Sequence, residues 1–358
     1  MTLSSLGWDD GFAADYQPYA DPSFQPARVA RAHKHACDVL TPAGLFAAVC
    51  TGRLLNASLS PADLPAVGDW VVIRPRPGEM QADIHAVLPR RTRFSRRAAG
   101  PREDEQVVAA NLDTVFLVTA LDQNYNLRRI ERYLTLAWES GAQPVIVLNK
   151  ADLHPAPDQV RAEVSAIAPG VPVLTLSARE DADLHPLDPW LLPGRTVALL
   201  GSSGVGKSTL INRLLDGERL ATGDLSTAHG KGRHTTTWRE LRVTARGALV
   251  IDTPGMRELQ LWSATPAALT DTFTDIRALV GGCRFGDCSH QGEPGCAVLR
   301  ALEDGRLDED RWQSYQKLQR EQAYAARRVD PRLAREDRQV WKKRSQLARH
   351  YSRWKHGE

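Results

Sequence analysis

Read from its amino end, the chain begins with residues 1–26, a stretch rich in Asp, Pro, Tyr and Ala that follows no hydrophobic period, so a loosely packed arm is expected there. From Ala27 to about Ala110 the pattern changes to short apolar or alternating runs, ARVARAH, HACDVLT, GLFAAVC, GDWVVIRP and ADIHAVLP, separated by Gly and Pro. Five such runs with turn signals between them predict a small β-barrel over residues 27–110. An OB-type barrel is favoured over an SH3-like one, because OB barrels commonly present a nucleic-acid face. From Asp113 the apolar runs are continuous and alternate with amphipathic ones: TVFLVTA, LRRIERYLTLAWES, PVIVLNK, a helix near residues 157–167, VPVLTLSA, TVALLGSSGVGKSTLINRLL and ALVIDTPG. Such alternation predicts a doubly wound α/β domain over residues 111–280, with a mainly parallel sheet and its ligand outside the carboxyl ends of the strands. Residues 281–358 read as a cysteine cluster followed by polar helices, interrupted at Pro331.

Length and composition narrow the class. At 358 residues, 42% hydrophobic and 25% charged, the chain is long enough for several cores, and no uncharged run approaches the roughly 18 residues of a membrane span. The first residues lack a basic and apolar leader, so a soluble, cytoplasmic protein with no membrane partner is expected. The net charge of +3 conceals an asymmetry: residues 311–358 hold 14 Lys/Arg and 5 Asp/Glu, leaving 32 against 38 in the rest. A polyanionic partner is expected at the carboxyl end.

The motifs carry the chemistry. Gly201-Ser202-Ser203-Gly204-Val205-Gly206-Lys207-Ser208, followed by Thr209, matches G-x-x-x-x-G-K-S between an apolar strand and a helical run. Glycines let backbone N–H groups wrap phosphates, Lys207 brings a compact charge to them, and Ser208 offers a hydroxyl to Mg²⁺. Asp252-Thr-Pro-Gly255 ends the strand ALVI, where such proteins keep a magnesium-orienting carboxylate and a backbone N–H for the γ-phosphate. Asn149-Lys150-Ala-Asp152 ends PVIVL; an ionised Asp152 accepts from two guanine donors that adenine lacks, Lys150 can lie over the base, and Asn149 can brace the loop. Ser177-Ala178 ends the next strand and offers a backbone N–H to the guanine oxygen. Together these identify a GTP- and GDP-binding P-loop GTPase whose motifs run in rotated order, the guanine-reading pair preceding the phosphate loop. The chain is therefore circularly permuted. Two other classes remain open on these residues: an RNA-binding scaffold that uses nucleotide only as a conformational ligand, and a P-loop ATPase or kinase, against which Asp152 speaks.

The permuted order, GSSGVGKS, the run Gly230-Lys-Gly-Arg-His234-Thr-Thr236-Thr before DTPG, the preceding barrel and the cysteine cluster resemble the RsgA family, also called YjeQ or EngC, over roughly residues 27–330. The resemblance implies an OB barrel, a permuted GTPase domain and a zinc-binding carboxyl-terminal domain, in a factor of late small (30S) ribosomal subunit assembly. It implies a monomer that binds the subunit's rRNA and is released by hydrolysis, with Thr236 completing the magnesium shell beside Ser208 and Asp252. The position after Gly255 is Met256, whose thioether cannot orient an attacking water. His234 is the candidate for that task, with Lys207 as its catalytic companion. Cys283-x₄-Cys288-x-His290-x₅-Cys296 gives three thiolates and an imidazole, a set suited to one structural zinc. Beyond it Trp312, Tyr315, Tyr324, Trp341, Tyr351 and Trp354 alternate with cations, a pattern that can reach phosphates and stack on unpaired bases.

Overall fold

The computed structural model describes residues 1–97, 105–123, 125–181, 184–215, 239–252 and 266–329. The chain divides into two compact units, Met1–Gln260 and Leu261–Glu358.

The first unit starts with a packed segment where a loose arm was expected. Helix α1 (Asp10–Tyr16) is capped by the Asp9 carboxylate, which accepts from the Gly11 and Phe12 N–H groups at 3.0 and 3.1 Å. Leu6 and Phe12 are buried, and the Trp8 ring stands edge-on to Trp70 with centroids 4.7 Å apart. Three large apolar residues suffice to anchor the segment, yet they are too few to show a period.

The five expected strands all form: β1 (Gln25–Ala32), β2 (Cys37–Thr41), β3 (Gly44–Cys50), β4 (Trp70–Pro75) and β5 (Gln81–Val87), with α2 (Gly52–Ala57) between β3 and β4. They pair in the order β1-β2-β3-β5-β4 and close through β4 onto β1, with β3 and β5 parallel and the other pairs antiparallel. The result is a five-stranded barrel of the OB type. Val29, Val39, Phe46, Val71, Ile73 and Ile84 fill it. The last part of the expected barrel range instead forms a separate ribbon, β6 (Arg93–Arg97) with β7 (Glu105–Ala110). Its Val107 and Ala110 pack on Ala62 and Ala66 outside the barrel.

The α/β part follows: β8 (Thr114–Ala120), α3 (Leu127–Ser140), β9 (Gln143–Asn149), α4 (Pro157–Ile167), β10 (Val173–Thr175), β11 (Thr196–Leu200), α5 (Lys207–Leu215), β12 (Glu240–Val243) and β13 (Leu249–Asp252). The sheet order is β10-β9-β8-β11-β13-β12, all parallel except β12. Every residue of β8 and β11 is buried, as the unbroken apolar runs require. One residue pair, Arg31 with Glu240, joins β1 to β12 and makes barrel and parallel sheet a single eleven-stranded sheet. Arg28, fully buried, donates to the carbonyls of Leu6 (2.6 Å), Gly68 (2.8 Å) and Asn111 (3.0 Å) and to Thr196 Oγ1 (3.1 Å). Its side chain thus fastens the amino-terminal segment, barrel and sheet to one another.

The second unit contains α6 (Pro266–Thr272), α7 (Thr274–Gly281), α8 (Ala297–Glu303) and α9 (Glu309–Val329). Phe273, Ile276, Val298, Ala301, Leu307, Trp312 and Leu318 are buried in it, and Arg311 is paired with Asp275 at 2.7 Å. Trp312 and Tyr315, expected as base-stacking faces, stack on each other at 5.5 Å, and Trp312 is buried. In this helix the aromatic spacing serves the interior, while Tyr324 is exposed. Trp341, Tyr351 and Trp354 lie outside the described residues. Among the described residues, no helix is long and apolar enough to cross a membrane.

Candidate functional site

Because β8, β9, β10, β11 and β13 are parallel, the segments that leave their carboxyl ends share one edge of the sheet. The loop after β11 is Gly201–Gly206. A Cβ on Gly201 would collide with the Val118 carbonyl of β8, and one on Gly206, at φ +99°, would collide with Asn149 Nδ2. Glycine is required at both positions for the loop to lie this close to its neighbours. Lys207 opens α5, and its ammonium curls over the loop to donate to the carbonyls of Gly201 and Ser202 at 2.7 Å each. Val205 is buried, whereas Ser203, Gly204, Ser208 and Thr209 are exposed on the open side.

Asn149, 1% exposed at the end of β9, binds two loops at once. Its Nδ2 donates to the Val205 carbonyl at 2.7 Å, and its Oδ1 accepts from the Ala178 N–H at 2.8 Å. The phosphate loop, the Asn149–Asp152 motif and the Ser177-Ala178 pair are thereby gathered around one amide. The Ala178 N–H, expected to face a guanine oxygen, is committed to Asn149, and the Ser177 N–H donates to Asp181 Oδ2 at 2.7 Å. Lys150 takes a left-handed backbone (φ 58°), a conformation uncommon for a side chain of its size, and its ammonium donates to Asp122 Oδ2 at 2.8 Å. Asp152 follows in a single turn, exposed to the open side.

Asp252 ends β13 half-buried. Burial pushes its carboxyl above the usual carboxylate range, Arg242 and Lys207 pull it back, and Glu240 adds to the rise. Arg129, which sequence reasoning missed, projects from the first turn of α3 and donates to Ser202 Oγ of the phosphate loop at 3.1 Å. The available signal was a cation in the first turn of a helix leaving the ligand edge of the sheet. His234, Thr236, Gly255 and Met256 lie outside the described residues.

In the second unit the ligand atoms of Cys283, Cys288, His290 and Cys296 lie within 4.8 Å of one another. Cys283 Sγ is 3.6 Å from His290 Nδ1 and 4.0 Å from Cys296 Sγ, and His290 Nδ1 is 3.4 Å from Cys296 Sγ. A tetrahedral ion with bonds of about 2.0–2.3 Å needs ligand spans of about 3.5–3.8 Å, close to the spacing of Cys283, His290 and Cys296, while the full set would contract from its 4.8 Å limit to close around an ion. His290 reaches this place through a left-handed backbone (φ 58°), and its ring stands edge-on to Trp312 at 5.6 Å. Cys296 is buried and caps α8, its Sγ accepting from the Leu299 N–H at 3.5 Å. Burial works against ionisation of Cys283, but the Ala297 and Val298 N–H groups at the start of α8 hold its thiol below the usual value. Desolvation and the adjoining thiols push Cys288 up to about 11. Four donors of this kind, gathered within 4.8 Å of one another, could hold one metal ion.

Residues 87–262 match the RsgA GTPase family. The chain is 61% identical over 351 residues, 96% of each chain, to the small ribosomal subunit biogenesis GTPase RsgA of Opitutus terrae. Among solved structures it is similar to YjeQ from Thermotoga maritima, with a TM-score of 0.62 and 27% identity over 84% of this chain and 98% of that one. It is also similar in fold to YloQ, described as a circularly permuted GTPase, with a TM-score of 0.60 and 23% identity over 85% and 96% of the two chains.

Proposed function

The chain belongs to the RsgA GTPase family of GTP-hydrolysing enzymes, and from that premise we propose that it acts in biogenesis of the small (30S) ribosomal subunit, the role for which its Opitutus terrae relative is named. It binds the subunit and its rRNA as a monomer in the cytoplasm, through the barrel and the metal-binding helical unit. GTP hydrolysis is stimulated by the subunit and releases the factor. The GTP form has the higher subunit affinity, because ordering of the 230–237 segment by the γ-phosphate is a differential contact that GDP cannot supply.

At the nucleotide site Asp152 accepts from the two guanine N–H donors, and Lys150 lies along the base. Lys207 exchanges the carbonyls of Gly201 and Ser202 for phosphate oxygens, which are stronger acceptors for an ammonium. Ser208, Thr236 and Asp252 would hold Mg²⁺, which would supply positive charge against that developing on the β- and γ-phosphates. Asp252 suits it: a half-buried carboxylate at the end of a strand, beside the phosphate-loop lysine. Met256 cannot orient water, so His234 does so, completed by the subunit. A missing catalytic element supplied by a partner is worth about 10³–10⁵ in rate, or roughly 4–7 kcal/mol of barrier. The Cys283, Cys288, His290 and Cys296 set would hold one structural Zn²⁺, its four donors leaving none to be supplied by water or substrate.

The observation that carries the nucleotide reading is Asn149, which fastens the guanine-reading motif to the phosphate loop. The test is GTP turnover by the purified protein with and without small ribosomal subunits, with ATP as control. Stimulation confined to GTP with subunits is expected. Equal, slow turnover under every condition overturns the subunit-dependent enzyme and leaves nucleotide binding alone.

A further inference from the structure

Glu240, the first residue of β12, stands where three parts of the protein meet. Its backbone makes the pairing with Arg31 that joins the barrel to the parallel sheet, and its Oε1 accepts from the Arg31 guanidinium. Its Oε2 accepts from Arg242 Nε at 2.8 Å. Arg31 in turn lies 3.8 Å from Asp38 on β2. In the β12 to β13 register Glu240 is directly opposite Asp252, the carboxylate at the nucleotide edge.

Side chains directly opposite on adjacent antiparallel strands have Cβ atoms about 4.5–5.5 Å apart, and like charges in that position repel. The pair Glu240 and Asp252 is thus an unfavourable arrangement that three cations make tolerable: Arg242 on β12 beside both carboxylates, Lys207 beside Asp252, and Arg31 of the barrel on Glu240. We infer that the Arg31–Glu240 pair is the joint through which nucleotide at Asp252 and a partner on the barrel influence one another. This rests on reading Asp252 as the carboxylate that meets nucleotide-bound magnesium. When a divalent cation engages Asp252, the repulsion on Glu240 falls and Glu240 depends less on Arg31. An anion that draws Arg31 away leaves Glu240 and Asp252 opposed with one cation fewer, which alters the field at the nucleotide. Coupling between binding sites is reciprocal, so each change implies the other.

The full chain tests this by hydrogen exchange of the β1 amides from Val29 to Ala32, with and without Mg²⁺ and a non-hydrolysable GTP analogue. In the wild type, saturating nucleotide is expected to change their exchange at least about fivefold, the lower end of ordinary coupling between sites. Arg31→Gln and Glu240→Gln should each reduce that response to less than about twofold, and Arg31→Lys, which keeps the charge, should preserve it. An unresponsive β1 in the wild type with the nucleotide site saturated overturns the inference, as does a full response in both Gln variants. Failure of the wild type to bind the analogue at all refutes the nucleotide reading first, and this joint with it.

Discussion

Asn149 Nδ2 donates to the Val205 carbonyl at 2.7 Å, so the Asn149–Asp152 segment and the Gly201–Gly206 loop share a buried hydrogen bond although 56 residues separate them. The same side chain accepts from the Ala178 N–H, so one planar amide sets the spacing of three loops. Permutation leaves such an arrangement intact: β11 still lies between β8 and β13, whatever order the chain visits them in.

Replacing Asn149 with Ala leaves a buried carbonyl and a buried N–H without partners, at about 1–3 kcal/mol each. The loops lose their common tie, and affinity for a fluorescent GDP analogue should fall by at least about tenfold together with the melting temperature. Asn149→Asp keeps an acceptor for Ala178 but sets a carboxylate against the Val205 carbonyl, so it should be the less stable variant. Unchanged nucleotide affinity in both variants would show that the tie is structural decoration.

Asp152 is exposed at the nucleotide edge and is expected to read two donors of guanine. An Asp152→Asn side chain still offers one acceptor, but its amide faces the guanine amino group donor to donor. Xanthine carries a carbonyl where guanine carries that amino group, so the variant should lose GTP affinity by about 10²-fold or more and gain affinity for the xanthosine nucleotide. Competition binding with GTP, XTP and ATP reads this directly; retained preference for GTP would remove Asp152 from base recognition.

Sequence pattern alone reached the barrel strands and the parallel sheet, because alternation in β2 and continuous burial in β8 leave clear periods. It reached the Cys283, Cys288, His290 and Cys296 set as well, since four ligands within 14 residues can only meet locally. The α1 segment escaped it because Trp8 and Phe12 act through contacts with distant Trp70 and Leu6 through its carbonyl's bond to Arg28, not through a repeat. Trp312 and Tyr315 misled it: a basic helix with spaced aromatics reads alike whether the rings face a core or a base, and here they face each other. The contacts of Arg129 with Ser202 and of Arg31 with Glu240 span 73 and 209 residues, and nothing local encodes them.

The metal cluster should behave as a closed structural site. Purified protein is expected to carry one zinc per chain, and Cys296→Ser should lose more stability than Cys288→Ser, because Cys296 is both a ligand and the cap of α8. Chelation should loosen residues 283–303 while leaving GDP affinity unchanged, since ligand binding free energy in such modules is local folding free energy. Metal analysis combined with nucleotide titration before and after chelation checks this, and a parallel loss of GDP affinity counts against separate roles.

Asp9 supplies the pH-dependent prediction. Its carboxylate pairs with the Arg91 guanidinium, which also lies over the Phe12 ring at 3.7 Å. The hydrogen bonds from Arg91 lower its pKa from 3.8 to about 2, opposed by partial burial and helped by the Phe12 and Gly11 N–H groups. A carboxyl depressed in the folded state stabilises fully above its unfolded value and loses that contribution as pH falls through the folded one. The window therefore runs from about pH 4 down to about pH 2, and the side chain is half exposed, so solvent screening limits the contribution to about 0.5–1 kcal/mol. The Gly11 and Phe12 amide shifts, followed by NMR, should titrate with a midpoint near 2 in the wild type and move toward 3.8 in Arg91→Ala. The urea midpoint of the wild type should exceed that of Asp9→Asn at neutral pH, with the difference shrinking across that window. A wild-type midpoint at the ordinary carboxylate value would show that the Arg91 pair does not hold the amino-terminal helix in place.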